Sequence, residues 1–109
     1  EYFSSNNNTT YANGIQMEIQ VSDDGKKGIL YIESENKNVA EMHFVWAGND
    51  KIIIDHTEVD GSLKGKNIGK QLVHRAVAFA REKQIKIMPL CPFAKSVFDK
   101  TEEYRDVLL

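Results

Sequence analysis

The order of hydrophobic patterns along the chain constrains its fold more than any other feature, because short strand-like runs come first and a helical stripe follows them. Four such runs span residues 17–21, 28–34, 40–47 and 51–59. The segments between them are rich in Asp, Asn and Gly, which tolerate the backbone conformations of tight turns. Three turns of hairpin length predict an antiparallel meander of four strands.

An amphipathic helix is predicted directly after the fourth run. Between Gly69 and Arg81 apolar side chains recur with a period of about 3.6 residues, and charged side chains fall between them. The next apolar run, residues 84–90, predicts a buried fifth strand that Pro89 ends. Because a strand, a helix and a strand in succession form a crossover, we expect the fifth strand to lie parallel to the fourth.

The C-terminal part of the chain predicts a second helix. Residues 93–100 follow Pro92, which suits the first turn of a helix. Residues 101–109 predict a further turn or a short third helix. The expected fold class is therefore α+β, with four antiparallel strands, a helix, a parallel fifth strand and a C-terminal helix.

The N-terminal segment differs in composition from the rest. Residues 1–16 are rich in Asn, Ser and Thr and have no hydrophobic period. They predict a disordered leader, native or vector-derived, with Met17 as the expected natural start. Residues 17–109 are expected to form one domain, because a chain of 109 residues has room for one core.

Composition excludes several classes of function. The net charge of −2 offers no overall attraction to a nucleic-acid backbone, so nucleic acid is not an expected partner. No apolar run approaches the roughly 20 residues of a membrane-spanning helix, so no membrane contact is expected. The single cysteine cannot form an internal disulfide, which predicts a reducing, cytoplasmic location. One Cys and three dispersed His match no metal-ligand spacing.

A glycine-containing loop joins the predicted fourth strand to the predicted helix. A helix start presents unpaired N–H groups and the positive end of the helix dipole, and glycine lets a phosphate approach the backbone closely. Three lysines add positive charge to this loop, although an ordinary turn with solvated lysines is the alternative. The predicted anion-binding residues are Val59, Lys64, Gly65, Lys66, Asn67, Ile68, Gly69 and Lys70.

This loop resembles the phosphate-binding motif of the GNAT superfamily of N-acetyltransferases. That motif has Gln or Arg, two residues, Gly, one residue, and then Gly or Ala; Lys64, Asn67 and Gly69 take these three positions. Lys keeps the positive charge, and Asn tolerates a left-handed backbone better than most residues. The order of strands and helices after Met17 is also similar to that of the superfamily. The resemblance implies that acetyl-CoA is the ligand of the loop.

A second resemblance is to a small, stand-alone GNAT-like subfamily with a cysteine after the fifth strand. It is carried by His56-Thr57-Glu58-Val59 and by Pro89-Leu90-Cys91-Pro92-Phe93. The chain also departs from the superfamily at two places. Residues 21–28 leave room only for a turn where the superfamily has helices that wall the acceptor site. Phe98 stands where a tyrosine often serves as general acid.

Candidate catalytic residues lie near the ends of the predicted fourth and fifth strands. Alternation places on one face of the fourth strand Ile52, Ile54, His56 and Glu58. In the GNAT architecture the two strands splay apart here and admit the pantetheine arm, which implies that His56 faces Cys91. Cys91 would then accept the acetyl group, with His56 as base and Glu58 orienting it. The alternative is a buried structural cysteine and a hydrogen-bonded structural histidine.

Two functions are left open by the sequence. One is an acetyltransferase that moves acetyl from acetyl-CoA to an unidentified small-molecule or protein acceptor, an amine or a thiol, with or without Cys91 as an intermediate. The other is a non-catalytic module that binds or senses acetyl-CoA. The candidate catalytic residues favour the first, whereas the missing acceptor wall and Phe98 favour the second.

Overall fold

The computed structural model describes residues 9–12, 15–63 and 65–109. The strands are β1 (Thr9–Ala12), β2 (Ile15–Glu18), β3 (Gln20–Asp23), β4 (Lys27–Ser34), β5 (Lys37–Trp46), β6 (Lys51–Val59) and β7 (Lys86–Pro89). The helices are α1 (Ile68–Lys83) and α2 (Pro92–Lys100), with short 3₁₀ helices at Gly61–Leu63 and Glu102–Tyr104.

The main sheet has five strands in the order β3-β4-β5-β6-β7. β3 to β6 pair antiparallel, and β7 pairs parallel to β6. The predicted mixed sheet is therefore confirmed, and β6 has the predicted bounds. Residues 107–109 continue along the other side of β7, where Leu108 forms a parallel bridge with Ile87.

A two-stranded antiparallel sheet precedes the main sheet. β1 pairs with β2, and Thr9 is opposite Glu18. The predicted first strand is thus divided, with the buried residue Ile19 between β2 and β3. Residues 9–12 and 15–16 are strand where the sequence predicts a disordered leader, because a polar strand pair carries no alternating apolar signal. The other residues of 1–16 lie outside the described part.

One face of the main sheet carries the core. α1 packs its apolar stripe against β4, β5, β6 and β7, as its period predicts. The stripe meets fully buried side chains of the sheet such as Leu30, Phe44 and Ile54. α1 ends after Lys83, where Gln84 adopts a left-handed conformation and its N–H bonds to the carbonyl groups of the last turn.

β6 contains a β-bulge that changes which way its side chains point. Phe44 of β5 pairs with Ile54, but the preceding residue, His43, pairs with His56. Asp55 is therefore an extra residue that has no partner on β5.

The bulge reverses the alternation along the second half of β6. Thr57 and Val59 share the core-facing side with the buried residues before the bulge, whereas His56 and Glu58 are exposed on the other side. The prediction that one face holds Ile52, Ile54, His56 and Glu58 is therefore wrong.

The face of β4–β6 opposite α1 is here called the open face, and its residues are Tyr31, Glu41, His43, His56 and Glu58. These five side chains are half-buried or exposed. The turn from β3 to β4 has only residues 24–26, so no helix lies between these strands. The predicted short connection is present, and it leaves the open face without a wall from this part of the chain.

Candidate functional site

A cavity of about 400 Å³ lies where the end of β6 meets the start of α1. Its wall combines residues of β6, the loop before α1, the first turn of α1 and the first turn of α2. The lining residues are Thr57, Val59, Leu63, Gly65, Asn67, Ile68, Gly69, Lys70 and Phe93.

The cavity opens where β6 and β7 separate. Their parallel pairing ends at Ile54 and Pro89, whereas β6 continues to Val59. The carbonyl oxygen of Ile54 accepts hydrogen bonds from the N–H groups of both Leu90 and Cys91, each at 3.0 Å. The hydrogen-bond ladder between β6 and β7 ends at this pair of bonds. Residues 55–59 thus have no β7 partner, and a gap lies beside them.

The loop before α1 exposes backbone donors to the cavity. Gly65 and Asn67 have φ angles of +82° and +61°, a left-handed conformation that glycine and asparagine adopt most readily. No side chain caps α1, and its first turn has no acidic residue. The first intrahelical bond runs from Gln71 N–H to the Asn67 carbonyl at 3.1 Å, so the amides of residues 68–70 have no intrahelical acceptor. Such a helix start is suited to bind phosphate oxygens.

Most of the predicted phosphate-binding residues line this cavity. The structure brings together there Val59, Gly65, Asn67, Ile68, Gly69 and Lys70. Lys66 lies in the same turn, half-buried, but is not among the described lining residues. Lys64 lies outside the described residues.

Two lining residues were not predicted. Phe93, 39% exposed, places its ring against Gly69 at the mouth of the cavity. Thr57 points into the cavity because of the bulge. The position of Phe93 directly after Pro92, in the predicted first turn of a helix, is a signal that could have identified it. Nothing in the sequence reveals the bulge that orients Thr57.

Cys91 lies beside the cavity rather than in its described lining. Its residue is 7% exposed and directly precedes α2, at the N-cap position. Its Sγ is 3.4 Å from Oγ1 of Thr57, with the thiol as donor. Thr57 therefore separates the sulfur from the cavity and contacts both.

The environment of Cys91 favours its thiolate. Burial alone would raise the pKa of the thiol, but the hydroxyl of Thr57 and the backbone N–H groups of Ala94 and Phe93 lower it by more. The net result is a pKa below the ordinary value of a cysteine. A thiol at a helix N-terminus is expected to behave in this way.

The predicted pair of Cys91 and His56 is not formed. His56 lies on the open face with its side chain 60% exposed, whereas Cys91 contacts Thr57 on the core-facing side of β6. The bulge at Asp55 is the physical reason, because it turns His56 away from the cysteine. His56 and Glu58 do stay together, with Nε2 and Oε1 3.9 Å apart.

Titratable side chains of β5 surround His56 on the open face. The His43 ring lies 5.7 Å from the His56 ring, and Glu41 Oε1 is 2.8 Å from His43 Nε2. The hydrogen bond with His43 is the main cause that lowers the pKa of Glu41, and a bond from Asn38 adds to it. The open face thus presents imidazole and carboxylate groups close to the gap between β6 and β7.

Other classes of site are not supported by the described residues. Within residues 9–12, 15–63 and 65–109, no group of three or more His, Cys, Asp or Glu side chains is arranged to hold a metal ion. Neither α1 nor α2, the described helices, is long and apolar enough to cross a membrane.

The chain is similar to a known protein family and to solved structures. The family model of the GCN5-related N-acetyl-transferases matches residues 29–107. The NMR structure of a GCN5-like protein from Staphylococcus aureus is similar, with 37% identity, a TM-score of 0.64, and coverage of 83% of this chain and 87% of that chain.

A more distant likeness concerns the fold alone. The crystal structure of nourseothricin acetyltransferase has 17% identity and a TM-score of 0.50, and the match covers 75% of this chain and 58% of that chain. No curated protein sequence matches this chain significantly. Since the family model spans most of the chain, and the GCN5-like protein at 37% identity shares its fold, the chain belongs to the GCN5-related N-acetyltransferase family.

Proposed function

We propose that the chain is an acetyltransferase that binds acetyl-CoA in the cavity at the start of α1. The observation that carries this proposal is the combination, in one cavity, of an uncapped helix start with the end of β6 that has no partner on β7. The amides of residues 68–70 would bind the pyrophosphate, with Lys70 as a nearby cation. The pantetheine arm would take the place of a strand beside residues 55–59.

The thioester would then lie in the gap between β6 and β7. Thr57 borders this gap from the core-facing side, and His56 borders it from the open face. An acceptor could therefore reach the thioester from the open face, where the short β3–β4 turn leaves access. The acceptor we propose is a primary amine on a small molecule or on a protein.

His56 is suited to act as the base for this acceptor. An imidazole nitrogen can accept a proton from an attacking amine, and the Glu58 carboxylate, 3.9 Å away, would stabilise the imidazolium. In the proposed step the amine nitrogen bonds to the carbonyl carbon, His56 takes a proton from the amine, and the carbon–sulfur bond breaks. We propose this direct transfer instead of an acetyl-Cys91 intermediate, because Cys91 has no base beside it among its described contacts.

A second candidate is a non-catalytic module that binds acetyl-CoA. It is favoured by Phe98, which is 3% exposed and has no proton to donate. The two candidates share the ligand and differ in turnover. The single cysteine favours the cytoplasm as the site of action in either case.

Binding and turnover should be measured on the same preparations. Calorimetric titration with acetyl-CoA should show one site. With hydroxylamine, a small amine that needs no recognition, the protein should release the coenzyme A thiol faster than the uncatalysed reaction of hydroxylamine with the thioester does. Gly69→Glu should abolish both, because its carboxylate would lie among the phosphate-binding amides. Gly61→Glu is the control for the added charge alone, since a β-carbon at residue 61 meets no atom within 4 Å.

The results distinguish the enzyme from the non-catalytic module. Binding without thiol release would support the module and not the enzyme. Equal binding by wild type and a folded Gly69→Glu variant would remove the proposed site.

A further inference from the structure

Thr57 connects the proposed acetyl-CoA cavity to a buried thiol. It lines the cavity, and its Oγ1 accepts a hydrogen bond from Sγ of Cys91 at 3.4 Å. The two side chains therefore form a continuous path from the buried sulfur to the ligand space. The proposed acetyl transfer leaves this path without a role.

The reaction itself creates a need for a proton at this place; the inference thus depends on the proposed function. When the amine displaces coenzyme A, the carbon–sulfur electron pair leaves with the sulfur as a thiolate. Protonation of that sulfur as the bond breaks makes departure easier, and a positioned acid typically contributes a factor of about 10²–10⁴.

Few described side chains can supply that proton. Among the described lining residues, exchangeable side-chain protons are carried by Thr57, Asn67 and Lys70. Asn67 and Lys70 lie at the start of α1, beside the proposed phosphate site, whereas Thr57 lies on β6 at the gap.

Tyr104, His56 and Glu58 are not among the described lining residues of the cavity. The hydroxyl of Tyr104 is 3.0 Å from Nδ1 of His74 on α1. His56 and Glu58 are on the open face, where the acceptor would enter. Thr57 is thus the described proton donor best placed for the leaving sulfur.

We propose that Cys91 and Thr57 form a two-residue proton relay that protonates coenzyme A as it leaves. Thr57 O–H donates its proton to the leaving sulfur, and Cys91 S–H donates its own proton to Thr57 Oγ1. Coenzyme A departs as a thiol, and Cys91 is left as a thiolate. Water returns a proton to Cys91 after product release, which balances the proton that His56 gives to solvent.

The surroundings of Cys91 support this direction of transfer. The N–H groups of Phe93 and Ala94 at the start of α2 stabilise the thiolate that the relay leaves behind. The pKa of Cys91 below its ordinary value means that Cys91 releases its proton more readily than an unperturbed thiol does. Cys91 is therefore a positioning and proton-supplying residue behind Thr57.

Hydroxylamine turnover with two acetyl donors tests the relay. The donors are acetyl-CoA and its selenium analogue, acetyl-seleno-CoA, whose selenolate leaves without protonation because a selenol is a far stronger acid than a thiol. Thr57→Val should lower kcat with acetyl-CoA by about 10²–10⁴ and change KM little. With the selenium donor the loss should shrink to about tenfold or less. Thr57→Ser should keep most of the activity, and Cys91→Ala should show the same dependence on the donor as Thr57→Val.

The controls separate a relay from a structural role. Thr101→Val removes a hydroxyl at the end of α2 and should change neither rate. Circular dichroism and the acetyl-CoA affinity establish that each variant is folded.

Several results would overturn the relay. An equal loss with both donors, or no loss at all, would overturn it while the enzyme proposal stands. A hydroxylamine-labile acetyl group on wild-type Cys91 would replace it with a cysteine nucleophile. Absence of turnover by the wild type would overturn the enzyme proposal and the relay together.

Discussion

The ring of Phe93 occupies the space that a β-carbon on residue 69 would need. An ideal Cβ at Gly69 would lie 2.6 Å from Cζ of Phe93, closer than real Cβ atoms approach other atoms. The absence of a side chain at residue 69 therefore lets the first turn of α2 close one side of the cavity. The glycine serves packing between helices as well as ligand access.

Gly69→Ala is expected to destabilise the protein, although alanine usually stabilises a helix relative to glycine by about 0.5–1 kcal/mol. Displacement of the Phe93 ring should lower the free energy of unfolding by about 1–3 kcal/mol. Urea denaturation measures this change, and Gly61→Ala should shift it by less than about 0.5 kcal/mol. The double variant Gly69→Ala/Phe93→Leu should regain most of the loss. A stabilised Gly69→Ala protein would show that the ring does not constrain residue 69.

Asn67 holds a left-handed conformation directly before α1, with φ +61°. A β-carbon without a compensating polar group makes this conformation costly by about 1–2 kcal/mol. Asn67→Ala should therefore lower the free energy of unfolding by about that amount and weaken acetyl-CoA binding, whereas Asn67→Gly should keep the affinity. Denaturation and calorimetry on both variants measure these effects. Equal affinity losses for alanine and glycine would indicate that the asparagine side chain itself contacts the ligand.

The pH dependence of Cys91 provides a separate prediction. Its thiol should titrate below the ordinary cysteine value, because hydrogen bonds outweigh burial. Thr57→Val should raise the midpoint, and Thr101→Val should not. The ¹³Cβ chemical shift of the single cysteine, followed against pH, measures both. A wild-type midpoint above the ordinary value would contradict this account of the site.

The lowered pKa of Cys91 also makes the stability of the protein depend on pH. Because the folded-state pKa is lowered, the unfolded chain binds more protons in the window between the two pKa values. Ionised Cys91 therefore contributes to the free energy of unfolding. The contribution is fully present above the pKa that Cys91 has in the unfolded chain, and it is lost as pH falls through the pKa that Cys91 has in the folded protein. Cys91→Ala should remove it from the pH dependence measured by urea denaturation.

Much of the fold can be predicted from the periodic spacing of apolar residues along the sequence. The meander of β3 to β6 and the stripe of α1 were predicted because each buries one side against the same core. The anion-binding loop was predicted for a similar reason, since a glycine-containing segment before a helix has local physical consequences. These features depend on neighbours in sequence.

The parts that were not predicted depend on pairing between distant segments. The bulge at Asp55 is a shift in the pairing register of β6 with β5. Because of this one extra residue, Thr57 faces the core side of the sheet and His56 faces the open face, the reverse of strict alternation. The predicted pair of Cys91 and His56 is wrong for this reason, and the contact between Cys91 and Thr57 could not be foreseen. The packing of Phe93 on Gly69 likewise brings together the starts of α2 and α1, which are far apart in sequence, so no local pattern predicts it.

Backbone amide NMR during titration with acetyl-CoA tests the central claim most directly. If acetyl-CoA binds at the start of α1, the largest shifts should occur at residues 65–70, with further shifts at Thr57 and Val59 on β6. The amides of Asn38, Ala40 and Gly61, which border a polar hollow of about 320 Å³, provide an internal comparison, because these three residues do not line the proposed acetyl-CoA cavity and should move less. Unchanged amides at residues 65–70, together with large shifts elsewhere, would contradict the proposed site.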